Sequence, residues 1–430
     1  MRFLSTRSRS PAVSLSNAIT RGLAPDGGLY VPEALPRIDP YRLDPEADLA
    51  HIAAGLLRPW FDDDPLADAL DGICREALDF DTPLQPLPFA DAHLLELFHG
   101  PTAAFKDIGA RFLAACMRRL QADRDRPLTI LVATSGDTGA AVAAAFHRVP
   151  GMRVVILYPD GRVSPRQAHQ LGCFGDNVRT FRVNGSFDDC QRMVKHALGD
   201  EALKADVPLS SANSISLGRL LPQMSYYAQS ALRHHARHGT APGYIVPTGN
   251  LGNAMACIWT RAMGLPIARV RFACNANPVL PEFLAGEAYR TRASVATLAN
   301  AMDVGAPSNV ERLRWMYPDD VALRATFQAT SVDDDAIRTT IRTLSEAHDL
   351  VVCPHTATAL HELRRLRETG NREPWITVAT AHAAKFERVV EPLIGHPVPV
   401  PEALARLLQG PAHADPIPAQ HSALHRILQN

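Results

Sequence analysis

From residue 128 onward, short apolar runs alternate with longer stretches in which apolar positions recur every three or four residues. Short runs fit strands buried on both faces, and the longer period fits helices packed on a sheet. The pattern predicts strands over 128–133, 153–158, 178–183, 244–247, 270–274, 350–353 and 376–379. It predicts helices over 138–147, 187–198, 219–238, 251–263, 333–348 and 356–367. Strand and helix in turn is the signature of βαβ units around a parallel sheet, so the expected class is α/β.

The first ninety residues read differently. Pro25, Asp26, Gly27 and Gly28 mark a turn, prolines recur at Pro32, Pro36, Pro40 and Pro45, and an acidic helical patch runs over 62–77. These features predict a smaller, separate cap. A second break falls over 278–317, where the periodicity weakens.

Composition narrows the classes. A chain of 430 residues with 46% hydrophobic and 21% charged positions is globular and long enough for two or three domains. Lys plus Arg (44) against Asp plus Glu (45) leaves a formal charge of -1. No overall field therefore draws it to nucleic acid or to an anionic membrane, and any anion site is local. The chain has no apolar stretch suited to spanning a bilayer, and residues 1–10 lack the apolar core of a secretory signal, so the expected location is cytoplasmic. Seven scattered cysteines with no C-x-x-C pair fit reduced, packing thiols.

In an open α/β sheet, ligands bind beyond the carboxyl ends of the strands. Lys106 lies between a strand-like stretch and a helix-like one, flanked by Phe98, Phe105, Ile108 and Phe112. Desolvation there would lower its pKa and suit it to Schiff-base chemistry. Taken alone, it reads more plainly as a lysine snorkelling from the first turn of a helix. After the apolar run ending at Ala133 come Thr134, Ser135, Gly136, Asp137 and Thr138, opening onto a helix. Such a start is an ordinary N-cap or an anion site. Gly249, Asn250, Leu251, Gly252 and Asn253 open another helix, as a phosphate cradle or a tight turn. The loop after 376–379 carries Thr380, His382 and Lys385. The dinucleotide fingerprint, the Walker A loop, H-E-x-x-H, zinc spacing and the G-x-S-x-G elbow are all missing from the sequence, so no metal is expected.

Together and in this order, these stretches resemble the threonine synthase family, pyridoxal phosphate (PLP) enzymes of the tryptophan synthase β-like fold. The matching segments are 22–32 (GLAPDGGLYVP), 98–107 (FHGPTAAFKD), 134–139 (TSGDTG), 211–215 (SANSI), 247–253 (PTGNLGN), 300–303 (NAMD), 353–357 (CPHTA) and 380–386 (TAHAAKF). The similarity is to the longer branch, which has an extra N-terminal domain. Leu251 departs from its usual Phe, Ser216 from its usual Asn, and Ala383 from its usual Pro.

The resemblance implies fold type II: two open, mostly parallel sheets flanked by helices, plus a small N-terminal domain. The expected division is a cap over 1–90, a smaller substrate-binding domain over 91–225 and a larger PLP-binding domain over 226–430, with segments crossing between the last two. By the resemblance, Lys106 forms the aldimine with PLP. Gly249, Asn250, Leu251, Gly252 and Asn253 cradle its phosphate, and Thr380 faces the pyridine nitrogen. Ser135, Gly136, Asp137 and Thr138 take the substrate α-carboxylate. Arg162, Ser164, Asn213, Ser214, Arg219 and Lys385 are candidates for the substrate phosphate. The implied reaction turns O-phospho-L-homoserine and water into L-threonine and phosphate, by a monomer or homodimer. A phospho-lyase giving 2-oxobutyrate, ammonia and phosphate shares the same motifs. An inactive PLP-binding homologue would have no need of Lys106 and Thr380.

Overall fold

Where apolar runs alternate with amphipathic stretches, the chain builds two sheets. The structure, a computed structural model, describes residues 1–122 and 126–429. In chain order the strands are β1 (Phe3–Ser5), β2 (Tyr30–Pro32), β3 (Leu84–Pro86), β4 (Ala92–Glu96), β5 (Leu128–Ala133), β6 (Met152–Pro159) and β7 (Val178–Asn184). They continue with β8 (Leu209–Ser211), β9 (Gly243–Pro247), β10 (Val270–Cys274), β11 (Gln328–Ser331), β12 (Trp375–Ala379) and β13 (Asp415–Pro418). The larger sheet has the order β11-β10-β9-β12-β4-β3 and the smaller β13-β7-β6-β5-β8. Every pair in them is parallel except β3 with β4 at one edge. Residues of β5, β9 and β12 are buried throughout, as strands covered by helices on both faces require.

Three strands lie on the far side of the division expected from the sequence. β3 and β4 join the sheet built from residues 243–379, and β13 returns near the C-terminus to the smaller sheet beside β7. The N-terminal segment pairs β1 with β2 and shares a continuous core with the larger sheet. Trp60 stacks on Trp259 at 5.4 Å, behind the helix Gly252–Ala262.

Six of the seven expected strands form, and 350–353 does not. Asp349 turns the chain through the left-handed region at the end of the helix Asp334–His348. Val352 and Cys353 are then buried as the lead into the helix Pro354–Glu368, where the Cys353 thiol caps the Thr356 amide. A short apolar run looks the same whether a sheet or a set of helices buries it. The single helix expected over 219–238 is two, Leu217–Leu220 and Gln223–His238, interrupted at Pro222. Among the described residues no helix is long and apolar enough to cross a membrane. All seven cysteines are free, and all but Cys173 are buried.

Candidate active site

The carboxyl ends of strands from both sheets meet at one cleft with two compartments. Lys106, Ser214, Asn250 and Ala301 line both. The first compartment is formed mainly by loops of the larger sheet, after β4, β9 and β12. The second is formed mainly by loops and a helix of the smaller sheet, after β5, β7 and β8.

Lys106 opens the helix Lys106–Gln121 and is held from both sides. Upstream, Phe105 N donates to Thr380 O at 2.8 Å and His382 N to Ala103 O at 3.0 Å, so the loops after β4 and β12 are tied backbone to backbone. Downstream, the buried Asp107 carboxylate accepts from the Thr102 hydroxyl at 2.6 Å and the Thr102 amide at 2.9 Å. Gly100 is required there, because a Cβ would lie 2.6 Å from Asp107 Oδ2. The Lys106 side chain is partly covered, since it faces the cleft, and its ammonium lies 4.5 Å from the centre of the Phe105 ring. Burial and then the Arg219 guanidinium push its pKa down to about 8, against the pull of Asp137. An amine of that pKa carries a far larger neutral fraction near physiological pH than an ordinary lysine does, which nucleophilic and base chemistry need.

The helix Gly252–Ala262 points its N-terminus into the first compartment. Leu251 holds φ at 63°, a left-handed turn that gathers the following amides into an anion-binding concavity. Asn253 adds a side-chain donor. Its Oδ1 accepts from Tyr227 at 2.7 Å and from Tyr226, which leaves the buried Nδ2 with no protein partner among the described residues. A buried, oriented and unused donor beside free helix amides fits the phosphate of PLP. Two other cradle residues have structural duties. The Asn250 amide is engaged by Ser214 and the Ser308 amide, and Gly249 packs so closely on the turn Asn300–Met302 that a Cβ would lie 2.7 Å from Met302 Cα.

Thr380 is buried on the wall of the same compartment, with its amide on the Thr356 hydroxyl at 3.3 Å. A neutral hydroxyl there suits an unprotonated ring nitrogen. His355, which no sequence motif marks for a role, also lines this wall. Its Nε2 accepts from Ala301 N at 3.0 Å, which fixes the neutral tautomer with the proton on Nδ1. Burial pushes its pKa down to about 4, Asp137 opposes this, and Lys106 and Lys385 add to it.

A buried ion pair joins the two sides. Lys385, from the loop after β12, donates to Asp137 Oδ1 at 2.9 Å and to Thr102 O at 2.7 Å. Gln167 Nε2 reaches the same carboxylate at 2.9 Å, and Asn300 Nδ2 reaches Gln167 Oε1 at 3.2 Å. Burial alone would raise the Asp137 pKa, but Lys385, His355 and Gln167 outweigh it and hold the carboxyl below the ordinary range.

The candidates named from sequence separate into groups. Lys106, Gly249, Asn250, Leu251, Gly252, Asn253 and Thr380 stand together around the first compartment, with Asp137 and Arg219. Ser135, Thr138, Asn213 and Ser214 line the second, and Gly136 is the strained residue that starts its helix, at φ 133°. Arg162 is exposed on the loop after β6 and lines neither compartment. Ser164 lines neither as well: it caps the helix Pro165–Gly172 and donates to Lys385 O at 2.7 Å. Ser216, one of the departures from the family pattern, is fully buried away from both. Gln167 escaped notice because a glutamine in a polar segment reads as surface, yet it is fully buried.

A lysine of lowered pKa, free donors at a helix start and a buried threonine around one compartment of this fold are what a PLP-dependent enzyme requires. The sequence model for pyridoxal-phosphate dependent enzymes matches residues 77–383. Models for the threonine synthase N terminus and the threonine synthase C-terminal region match 2–78 and 356–428. The threonine synthase of Escherichia coli is 36% identical over 432 residues, covering 100% of both chains. That of Serratia marcescens is 37% identical over 432 residues, covering 100% of this chain and 99% of its own. The crystal structure of the E. coli protein superposes with a TM-score of 0.90 over 100% of both chains. The PLP-bound threonine synthase from Brucella melitensis, 32% identical, also gives 0.90, over 100% and 99%. The chain belongs to the threonine synthase family, and PLP is its cofactor.

Proposed function

We propose that this enzyme converts O-phospho-L-homoserine and water to L-threonine and phosphate. The observation that carries the reading is the place of Lys106, a lysine of lowered pKa where two donor-lined compartments meet. One compartment suits the phosphate of the cofactor, and the other suits a second anion. When bound, PLP supplies the electrophilic carbon and the electron sink that make the Cα and Cβ protons of the substrate acidic.

The chain's own groups do the rest. Gly252 and Asn253 hold the cofactor phosphate, and the Thr380 hydroxyl meets the ring nitrogen. The helix start at Ser135 to Thr138 takes the substrate α-carboxylate through amides and hydroxyls. Lys106, its pKa lowered so that more of the amine is neutral than in an ordinary lysine, takes the proton from Cα and then from Cβ. Loss of the Cβ proton expels phosphate from Cγ. Protonation at Cγ, addition of the hydroxyl of water at Cβ and return of a proton to Cα complete threonine. His355 stays neutral beside Lys106 and leaves the lowering of the lysine's pKa to burial and Arg219. Free, buried thiols suit a reducing compartment, and we place the enzyme in the cytoplasm.

The test supplies O-phospho-L-homoserine to the PLP-loaded enzyme and measures threonine, phosphate and 2-oxobutyrate separately. Threonine and phosphate are expected in equal amounts. Lys106→Ala is expected to lower turnover by about four orders of magnitude, the scale of losing both base and nucleophile. Phosphate formed with 2-oxobutyrate would replace the reading with the phospho-lyase.

A further inference from the structure

We propose that Lys195 is the cation that binds the phosphate group of the substrate, and the proposal rests on the function assigned above. The basic side chains named from sequence for that duty are otherwise engaged. Arg162 lies outside the cleft, Lys385 is bound by Asp137 and Thr102, and the buried Arg219 donates to Ala212 O beside the cofactor compartment. Lys106 is committed to the reacting atoms. The second compartment nevertheless has the lining of an anion site. Its described residues include hydroxyls, amides and two lysines, and no carboxylate.

The second of those lysines is Lys195, on the helix Phe187–Gly199 that follows β7. Phe187, Gln191, Lys195 and Leu198 recur at helical spacing, and all four line the compartment. The helix thus closes one wall with apolar side chains and presents an amide and an ammonium between them. Lys195 also lines the wide groove that runs from the N-terminal segment to this compartment, so its charge stands where the groove opens into the site. It is exposed and, among the described residues, has no acidic partner within salt-bridge distance. An unpaired ammonium on a flexible stem is suited to meet a phosphate dianion in the groove and follow it inward. Ser211, Asn213 and Ser308 line the same compartment and offer further donors to the phosphate oxygens.

The same chemistry would hold a phosphate monoester or the released phosphate, and the experiment separates them. Steady-state kinetics of the PLP-loaded wild type, Lys195→Met and Lys195→Arg give KM for O-phospho-L-homoserine and the inhibition constant of inorganic phosphate. In parallel, acetylation of Lys195 in the wild-type holoenzyme is followed by mass spectrometry with and without inorganic phosphate. Lys195→Met is expected to raise KM roughly 10- to 100-fold, the scale of one charge-assisted hydrogen bond. Lys195→Arg should recover most of that loss, and cofactor absorbance should not change in either variant. Phosphate should protect Lys195 from acetylation. A phosphate inhibition constant that weakens in step with KM assigns both anions to Lys195, and one that is unchanged assigns it the ester alone. An unchanged KM, or no protection by phosphate or by substrate, overturns the proposal. If the wild type makes no threonine, the assigned function fails instead, and protection by phosphate then decides the anion site by itself.

Discussion

On the larger-sheet side of the cleft, polar groups are held by other groups of the protein. Asn253 is gripped by two tyrosines, the Thr380 amide by Thr356, His355 by the Ala301 amide, and Asn250 by Ser214 and Ser308. On the smaller-sheet side, the side chains of Ser135, Thr138, Gln191 and Lys195 have no hydrogen-bond or ion-pair partner among the described residues. With PLP on the first side and substrate on the second, as proposed, the contrast matches the residence times of the two ligands. A cofactor that stays is best met by donors whose ordering cost is met once, at folding. A substrate that comes and goes is met by donors that water satisfies between turnovers.

The comparison breaks hardest at the ion pair joining the two sides. Lys385→Met leaves the Asp137 carboxylate buried without its counter-charge, and urea unfolding should show a loss of about 3–5 kcal/mol. Adding Asp137→Asn should return a good part of that loss. A change below about 1 kcal/mol for the single variant would mean that this pair does not hold the sides together.

The next effect separates the sides. Asn253→Ala should weaken PLP binding by about 1.5–3 kcal/mol, because a donor to a charged phosphate is lost, as measured by cofactor titration. Ser135→Ala should leave cofactor affinity unchanged and raise KM for the substrate by only about 2- to 10-fold. Equal effects of both variants on both ligands would erase the distinction drawn here.

A further effect is on pH. His355 keeps its pKa near 4 in the folded chain against an ordinary 6.5. Between those values the unfolded chain takes up the proton first, so stability should fall as pH drops from about 6.5 toward 4. Asp137, held below the ordinary carboxylate range, adds its loss only at still lower pH. Unfolding midpoints of the cofactor-free chain from pH 7 to pH 4 should show the decline, and His355→Gln should flatten it.

The larger-sheet side was the more legible in sequence, for a physical reason. Its cradle is one continuous loop at a helix start, and Lys106, a charge among aromatic residues, stands out once the neighbouring motifs are read with it. On the other side the working groups are spread over an ordinary amphipathic helix and short loops. Lys195 reads there like any solvated lysine until the helix is seen to face the cleft. Arg162 is a candidate as a cation for the substrate phosphate, but it is exposed and lines neither compartment. β8, β11 and β13 read LSS, QATS and DPIP, with no apolar run to mark them. They are strands because a neighbour offers an edge, which no local pattern records.

The position of β12 has a consequence for how the enzyme comes into being. It lies between β9 and β4 and is therefore central to the larger sheet, yet it is among the last strands to be synthesised. The Thr377 hydroxyl donates to His93 O across 284 residues of chain. Until β12 leaves the ribosome, β4 and β9 each wait with an open edge, the condition in which chains pair with the wrong partner. The tie between the loops bearing Lys106 and Thr380 also cannot form before then. A truncated chain that stops short of residue 375 thus carries Lys106 without its companions, and a prematurely terminated copy brings aggregation risk with no catalysis.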